Sequence, residues 1–292
     1  MRQMARETSR IIYLVIIVIL ASALAVTLFL LLHRQNQTAG AQDKLDALRD
    51  YVADVTEEYD GETTADIAVS RDVLADLGIV IPTKVIDWEA LRKENPDIYA
   101  WLYVPGTQID YPVLQREGDN NYYVEHNIDG SSGYPGCLTT QYEYNGRDFT
   151  DYNTCIYGHN MRNGSMFHGL HSYADASFLE ANRYAYVFTP EKTLVYEIFA
   201  AYKFSNALIP YEYDFTTKAG RKEYLSEVLS IRGMGNQFRK DVDVTAKNHL
   251  LTLSTCTSPS DDNYRWLVQA VLVNDEALSY EEIVHTLGRT TE

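Results

Sequence analysis

Cysteine is scarce in this chain, with three among 292 residues, at positions 137, 155 and 256. Their spacings match no CxxC pair and no zinc-ligand pattern, and an odd number leaves at least one thiol unpaired within the chain. An oxidising compartment could still pair Cys137 with Cys155. Basic residues are few as well, 25 Lys and Arg against 41 Asp and Glu, for a formal net charge of −16. Arg2, Arg6, Arg10 and Arg34 fall in the first 34 residues beside one acid, Glu7, so the remainder is more acidic still. An acidic body with no basic stripe argues against nucleic acid as a partner. The sequence also has no internal repeat, low-complexity tract, phosphate-binding glycine loop or metal-ligand cluster, so neither a cofactor nor a metal is implied. Hydrophobic residues at 46% and charged residues at 23% are ordinary for a packed chain. The excess is in tyrosine, 23 residues. Its large ring and polar tip suit strands and half-wet surfaces.

Long apolar runs are limited to one, Ile11 to Leu32, without a charge. As a helix it spans roughly 33 Å, enough for a hydrocarbon core of about 30 Å. A cleaved signal peptide is the competing reading, but apolar residues continue past the small-residue stretch Ala21–Ala25, which favours an uncleaved anchor. Three arginines precede the span and only Arg34 follows it closely, so the positive-inside rule puts residues 1–10 in the cytoplasm and the body outside the cell. The expected division is 1–10 cytoplasmic, 11–32 transmembrane, 33–87 linker and stalk helices, and 88–292 one domain.

Polar and small residues make Gln35–Gln42 a linker. Leu45, Leu48, Val52, Val55 and Tyr59 recur at helical spacing, as a stalk helix packing on the domain does. Trp88–Glu94 reads as a helix stopped at Asn95-Pro96. Short strand-like runs follow at Tyr99–Val104, Tyr111–Gln115, Tyr122–Glu125, Cys137–Thr140 and Asn153–Tyr157. A hairpin-like pair at Tyr184–Thr189 and Leu194–Phe204 precedes a helix over Thr216–Ser230, with Tyr224, Leu225, Val228 and Leu229 on one side. Two more strands, His249–Ser254 and Arg265–Asn274, complete the series. The pattern predicts a mostly β fold, a largely antiparallel barrel or sandwich with one inserted helix.

Cys256 lies where a strand meets the turn-rich stretch Ser258-Pro259-Ser260-Asp261-Asp262-Asn263, within reach of solvent, whereas Cys137 and Cys155 sit inside strand-like runs as small core residues. A catalytic thiol needs a histidine or cation beside it. His159 follows Gly158 at a strand end, where glycine permits an unusual backbone angle that aims the imidazole into a cleft. His33 borders the membrane, His285 is near the C-terminus, and His126, His168, His171 and His249 have no distinctive setting. Arg265 opens the apolar run Trp266–Val273, where a charge could steady an oxyanion. Each has a plainer reading: a filler thiol, a loop histidine, a strand-end arginine.

Long, ordered stretches resemble the sortases, class B in particular. They are Asn95-Pro96-Asp97-Ile98-Tyr99-Ala100-Trp101-Leu102, Val104-Pro105-Gly106-Thr107, Ile109-Asp110-Tyr111-Pro112-Val113-Leu114-Gln115 and Asp119-Asn120-Asn121-Tyr122-Tyr123. Tyr157-Gly158-His159-Asn160-Met161 and Asn163-Gly164-Ser165-Met166-Phe167 follow, then Thr252-Leu253-Ser254-Thr255-Cys256 with Arg265. The resemblance spans roughly Trp88 to Val273. It implies a closed barrel of about eight strands with N-terminal helices, Thr216–Ser230 being the helix that class B inserts before the cysteine strand. It also implies His159 as acid/base, Cys256 as nucleophile and Arg265 as stabiliser of the acyl intermediate. Asn120, Tyr157 and Ser254 would line the groove for a sorting-signal peptide, and Thr255 would contribute to the oxyanion hole. One departure is that Gly136-Cys137-Leu138-Thr139-Thr140-Gln141 lacks the acid with which many relatives close this strand.

The implied reaction joins surface proteins bearing a sorting signal to an amine of a peptidoglycan precursor or a pilin lysine, through a Cys256 thioester, on the outer side of a Gram-positive membrane. A cysteine hydrolase without transfer and a non-catalytic adhesion module are the rival readings.

Overall fold

The computed structural model describes residues 2–55, 74–75, 77–258, 261 and 263–288. Tyr59, Pro259, Ser260 and Asp262 of the sequence reading lie outside them. A single helix, α1 (Arg2–Ala47), begins the chain. Its large apolar side chains from Ile12 to Leu32 are exposed, and it is long and apolar enough to cross a membrane. The expected linker Gln35–Gln42 is part of this helix. It contains no proline and is rich in Gln and Ala, and Ala41, Gln42 and Leu45 are buried, so packing holds the helix where polarity alone suggested a break. A 3-10 turn, Leu48–Tyr51, ends the helical part. Val52 and Val55, expected on the helical stripe, belong instead to strand β1 (Val52–Val55), antiparallel to β2 (Thr83–Ile86). β-branched residues favour the extended chain. Helix α2 (Trp88–Glu94) starts under an Asp87 cap, whose side chain accepts from Ala90 N at 2.9 Å. It stops at extended Asn95, as the proline beyond requires.

The barrel strands are β3 (Ile98–Tyr103) and β4 (Asp110–Leu114), then, after the short helix α3 (Tyr122–Glu125), β5 (Leu138–Thr139) and β6 (Asn153–Tyr157). A 3-10 segment, Phe167–Ala174, and α4 (Ala176–Ala181) lead to β7 (Tyr184–Phe188) and β8 (Thr193–Ser205). The remainder is α5 (Ile209–Glu212), α6 (Lys218–Ser230), β9 (Gln237–Phe238), β10 (Leu250–Cys256), β11 (Tyr264–Leu272) and α7 (Tyr280–Thr286). Hydrogen bonding runs β11-β10-β6-β5-β4-β3-β7-β8, and β8 pairs back onto β11, closing an eight-strand barrel with β9 on the flank of β8. Thirteen residues make β8 long enough to pair with β7 at its start, Thr193 to Glu197, and with β11 from Tyr196 to Ser205. Two pairings, β4–β5 and β6–β10, are parallel, so the barrel is more mixed than the sequence suggested.

Tyr122–Glu125, expected as a strand, is helical. The Asp119 carboxylate accepts from Asn121 N at 3.0 Å in a local turn, and Tyr122 stacks on His126 with centroids 4.1 Å apart. On α6, Tyr224, Leu225 and Val228 are buried as expected, whereas Leu229 faces solvent. The Tyr224 hydroxyl joins a buried polar ladder with Gln269, Thr252 and Asn153, which fixes α6 against the β6–β10–β11 face.

Candidate active site

Strand pairing brings the two ends of the cysteine motif together. Cys256, the last residue of β10, is the direct cross-strand partner of Arg265 on β11. Directly opposed residues share a face of the sheet with Cβ atoms about 5 Å apart, so thiol and guanidinium project side by side. On the other flank, β6 runs parallel to β10 with Tyr157 beside Ser254, and Gly158 N donates to Ser254 O at 3.1 Å. His159 follows at once, and its carbonyl accepts from Phe167 N at 2.9 Å. Cys256, His159 and Arg265 line one cavity of about 1050 Å³ together with Asn120, Tyr157 and Ser254.

Gly158 is needed for a different reason from the expected one. It is not among the glycines with positive φ. A Cβ there would stand 2.5 Å from Leu138 Cδ2 and 2.8 Å from Phe167 Cδ2. Close packing, not an unusual angle, sets the residue before His159. Gly158→Ala should therefore cost about 1–3 kcal/mol by overpacking, a Tm lowered by roughly 2–10 °C in a thermal melt, and an unchanged Tm contradicts the assignment.

The mis-read helix α3 supplies the partner that orients His159. Val124 O accepts from His159 Nε2 at 2.8 Å, which leaves Nδ1 as the nitrogen free to exchange a proton. The Tyr134 ring meets the imidazole edge-on at 4.9 Å. Burial lowers the His159 pKa below its ordinary value; the Val124 carbonyl opposes this, and the Arg265 charge adds to it. The ring is therefore neutral at neutral pH.

The other expected groove residues divide. Asn120 faces the cavity with its amide tied to Glu143, donating to Oε2 at 2.8 Å and accepting from Glu143 N at 3.3 Å. Tyr157 keeps its proton, since burial raises its pKa well above the ordinary value. Ser254 is nearly buried at the cavity floor. Strand alternation puts the Thr255 side chain on the face opposite Cys256, opposed to Trp266, and its buried hydroxyl finds no hydrogen-bond partner among the described residues. Thr255 nonetheless borders the cavity. All three cysteines are free thiols, so the Cys137–Cys155 pair does not form. Both are buried, with the Cys155 pKa pushed up to about 12 by burial and the Cys137 pKa higher, which leaves both inert.

Three groups at the site escaped the sequence reading. Asn160 and His171 both reach the Cys256 carbonyl, and His168 holds Asn160. Arg34, Gln35, Thr38 and Ala39 of α1 border the same cavity, just past the apolar stretch. Asn160 stands inside a quoted motif, but its role and that of His171 depend on contacts with Cys256 that lie 96 and 85 residues away.

Comparison with known proteins agrees with this geometry. The Sortase domain family model matches residues 102–273. Sortase B of Listeria monocytogenes is 36% identical over 187 residues, covering 63% of this chain and 72% of that protein. The crystal structure of Clostridium perfringens sortase B superposes with a TM-score of 0.56 at 32% identity, covering 63% of this chain and 98% of that one. A Staphylococcus aureus sortase B–substrate complex gives 0.53 at 26% identity, covering 63% and 83%. With a closed barrel of this strand order and matches over most of it, the chain belongs to the sortase family, class B, and is a cysteine transpeptidase rather than an adhesion module.

Proposed function

We propose that this enzyme cleaves a C-terminal sorting signal of surface proteins and transfers the acyl group to an amine, that of a peptidoglycan precursor or of a pilin lysine. The observation that carries the assignment of roles is the cross-strand pairing of Cys256 with Arg265 inside the cavity that holds His159. The Cys256 thiol passes its proton to His159 Nδ1 as Sγ attacks the scissile carbonyl carbon, and the carbonyl π electrons move onto oxygen. The Arg265 guanidinium steadies that oxyanion. As the tetrahedral centre collapses, the C–N bond breaks and His159 Nδ1–H protonates the leaving amine, giving a thioester. The acceptor amine then attacks the thioester carbon, loses its proton to Nδ1, and expels the thiolate. Transfer prevails over hydrolysis when the amine is held in line and water is disfavoured at the thioester.

Asn120, Tyr157 and Ser254 are assigned to the groove for the sorting signal, as residues of the same cavity. That a sortase B of S. aureus is seen in a complex with substrate supports a substrate-binding role for a site of this kind. Residues 88–292 are taken as the catalytic domain and 33–87 as the stalk. Residues 11–32 are taken as a single-pass anchor, with residues 1–10 in the cytoplasm and the barrel outside. Exposed apolar side chains on α1 and the arginine bias at its start support the anchor. Arg34, Gln35, Thr38 and Ala39, which border the cavity just past the apolar stretch, support a site close to the bilayer, where secreted substrate and wall precursor would meet.

The test is a peptide-library cleavage screen of the full-length protein in lipid nanodiscs, run with defined amine acceptors. Product joined to the amine is expected. Cleavage at a rate and with a product that ignore the amine points to a hydrolase and overturns the proposal.

A further inference from the structure

The main-chain carbonyl of Cys256 is gripped by two side chains. Asn160 Nδ2 and His171 Nε2 each lie 3.1 Å from the Cys256 oxygen. The two nitrogens are 3.0 Å apart, so they converge on the two lone pairs of one acceptor. The orientation of Asn160 is set from behind, where its Oδ1 accepts from His168 Nδ1 at 2.8 Å, leaving the NH2 end to face Cys256. A carbonyl can only accept, so His171 carries its proton on Nε2 to reach Cys256 O. Its 3.0 Å approach to Asn160 Nδ2 is then a contact between two donors rather than a hydrogen bond. Burial lowers the His171 pKa, so the ring stays neutral. The ring also stacks on Trp266, with centroids 5.7 Å apart and planes 25° from parallel, and Trp266 Nε1 donates to Leu170 O at 2.8 Å.

Two members of this cluster adjoin residues of the reaction centre. Asn160 follows His159, Trp266 follows Arg265, and the gripped carbonyl belongs to Cys256 itself. The grip falls at the last residue of β10, where strand pairing ends and the chain enters a turn. An ungripped peptide at that point is free to rotate, and rotation about it swings the thiol away from the groove. An error of about 1 Å in the position of a reacting atom costs on the order of 10²-fold in rate.

We propose that Asn160 and His171 are positioning residues that hold the peptide of the nucleophile, fixing Cys256 Sγ against His159 and Arg265 and thereby setting the rate of acylation rather than the affinity for peptide. The proposal rests on Cys256 being the nucleophile, as assigned above. His171→Phe keeps the ring on Trp266 and removes the donor, His171→Gln restores a donor at similar reach, and Asn160→Ala removes the second donor.

The test uses these variants as full-length protein in nanodiscs, with iodoacetamide alkylation of Cys256 followed by intact mass, a probe that needs no substrate. The buried thiols Cys137 and Cys155 give no competing signal on that timescale. Alongside it, kcat and KM are measured on a library-selected peptide, together with Tm. His171→Phe and Asn160→Ala should lower alkylation severalfold and kcat by about 10- to 100-fold with KM within twofold. His171→Gln should stay within about threefold of the parent. Variants that lose Tm while keeping alkylation and kcat assign the cluster to stability alone and overturn the proposal, as does His171→Gln behaving like His171→Phe. Cys256→Ala separates this from the reading beneath it. If that variant still transfers peptide, the nucleophile assignment has failed, whatever the clamp variants do.

Discussion

Cys256→Ser should leave the chain folded and end its chemistry. The residue is half-buried at the end of β10, and exchanging one sulfur for one oxygen there removes no packing partner. The expected change in stability is within about 0.5 kcal/mol. Catalysis, by contrast, depends on a group that is an effective nucleophile near neutral pH and a good leaving group from the acyl intermediate. A thiol beside an imidazole and a guanidinium is both. A serine hydroxyl in the same place is a far weaker nucleophile, and its ester resists aminolysis more than a thioester does. Transfer of a labelled peptide to excess amine should fall on the order of 10⁴-fold or more, the scale found when a covalent nucleophile is removed. Serine activity above about one part in a hundred contradicts the assignment.

The second large effect is expected at His159. Glutamine there can still donate to Val124 O and fill the same volume, but it cannot take up or release a proton. A loss of about 10²- to 10⁴-fold in kcat/KM follows for a lost general acid/base, with little change in Tm. The pH profile carries a further signature. Burial, and then Arg265, lower the folded pKa of His159, while the Val124 carbonyl opposes them in part, leaving it under the ordinary value of about 6.5. The site works when the Cys256–His159 pair carries one proton between them. Activity of the parent is therefore present above the lowered His159 pKa and declines as pH falls through it. The acid limb should have its midpoint below about pH 6.5, and His159→Gln should lose that limb. A midpoint above it, or a limb that survives the substitution, contradicts the role given to the imidazole.

Much of this arrangement could be read from the chain before any coordinates. The helix Trp88–Glu94 declared its end through the proline after Asn95, and β6 has the bounds that its strand-like run indicated, Asn153–Tyr157. The candidate trio of Cys256, His159 and Arg265 was legible because the family motifs cover it, and β10–β11 is a near-neighbour hairpin that pairs Cys256 with Arg265. Failures came where tertiary contacts overrule local pattern. Gln35–Gln42 is polar enough for a linker yet stays helical, because Ala41 and Gln42 are buried. Tyr122–Glu125 has strand-like composition but curls into one turn, and that turn presents the carbonyl that orients His159. The clamp on Cys256 joins residues 85 and 96 positions apart, and no period or motif reports such a contact. Barrel closure through β8 and β11 has the same character, since only the length of β8 hints at two partners.

The most direct measurement is rapid-quench intact-mass and fragment spectrometry of the full-length protein, mixed with a cleavable peptide and chased with amine. The account predicts an acyl adduct on Cys256, formed before product, which disappears on adding amine at the rate at which the joined peptide appears. An adduct on another residue, or peptide product that forms and carries no amine while Cys256 remains unmodified, contradicts it.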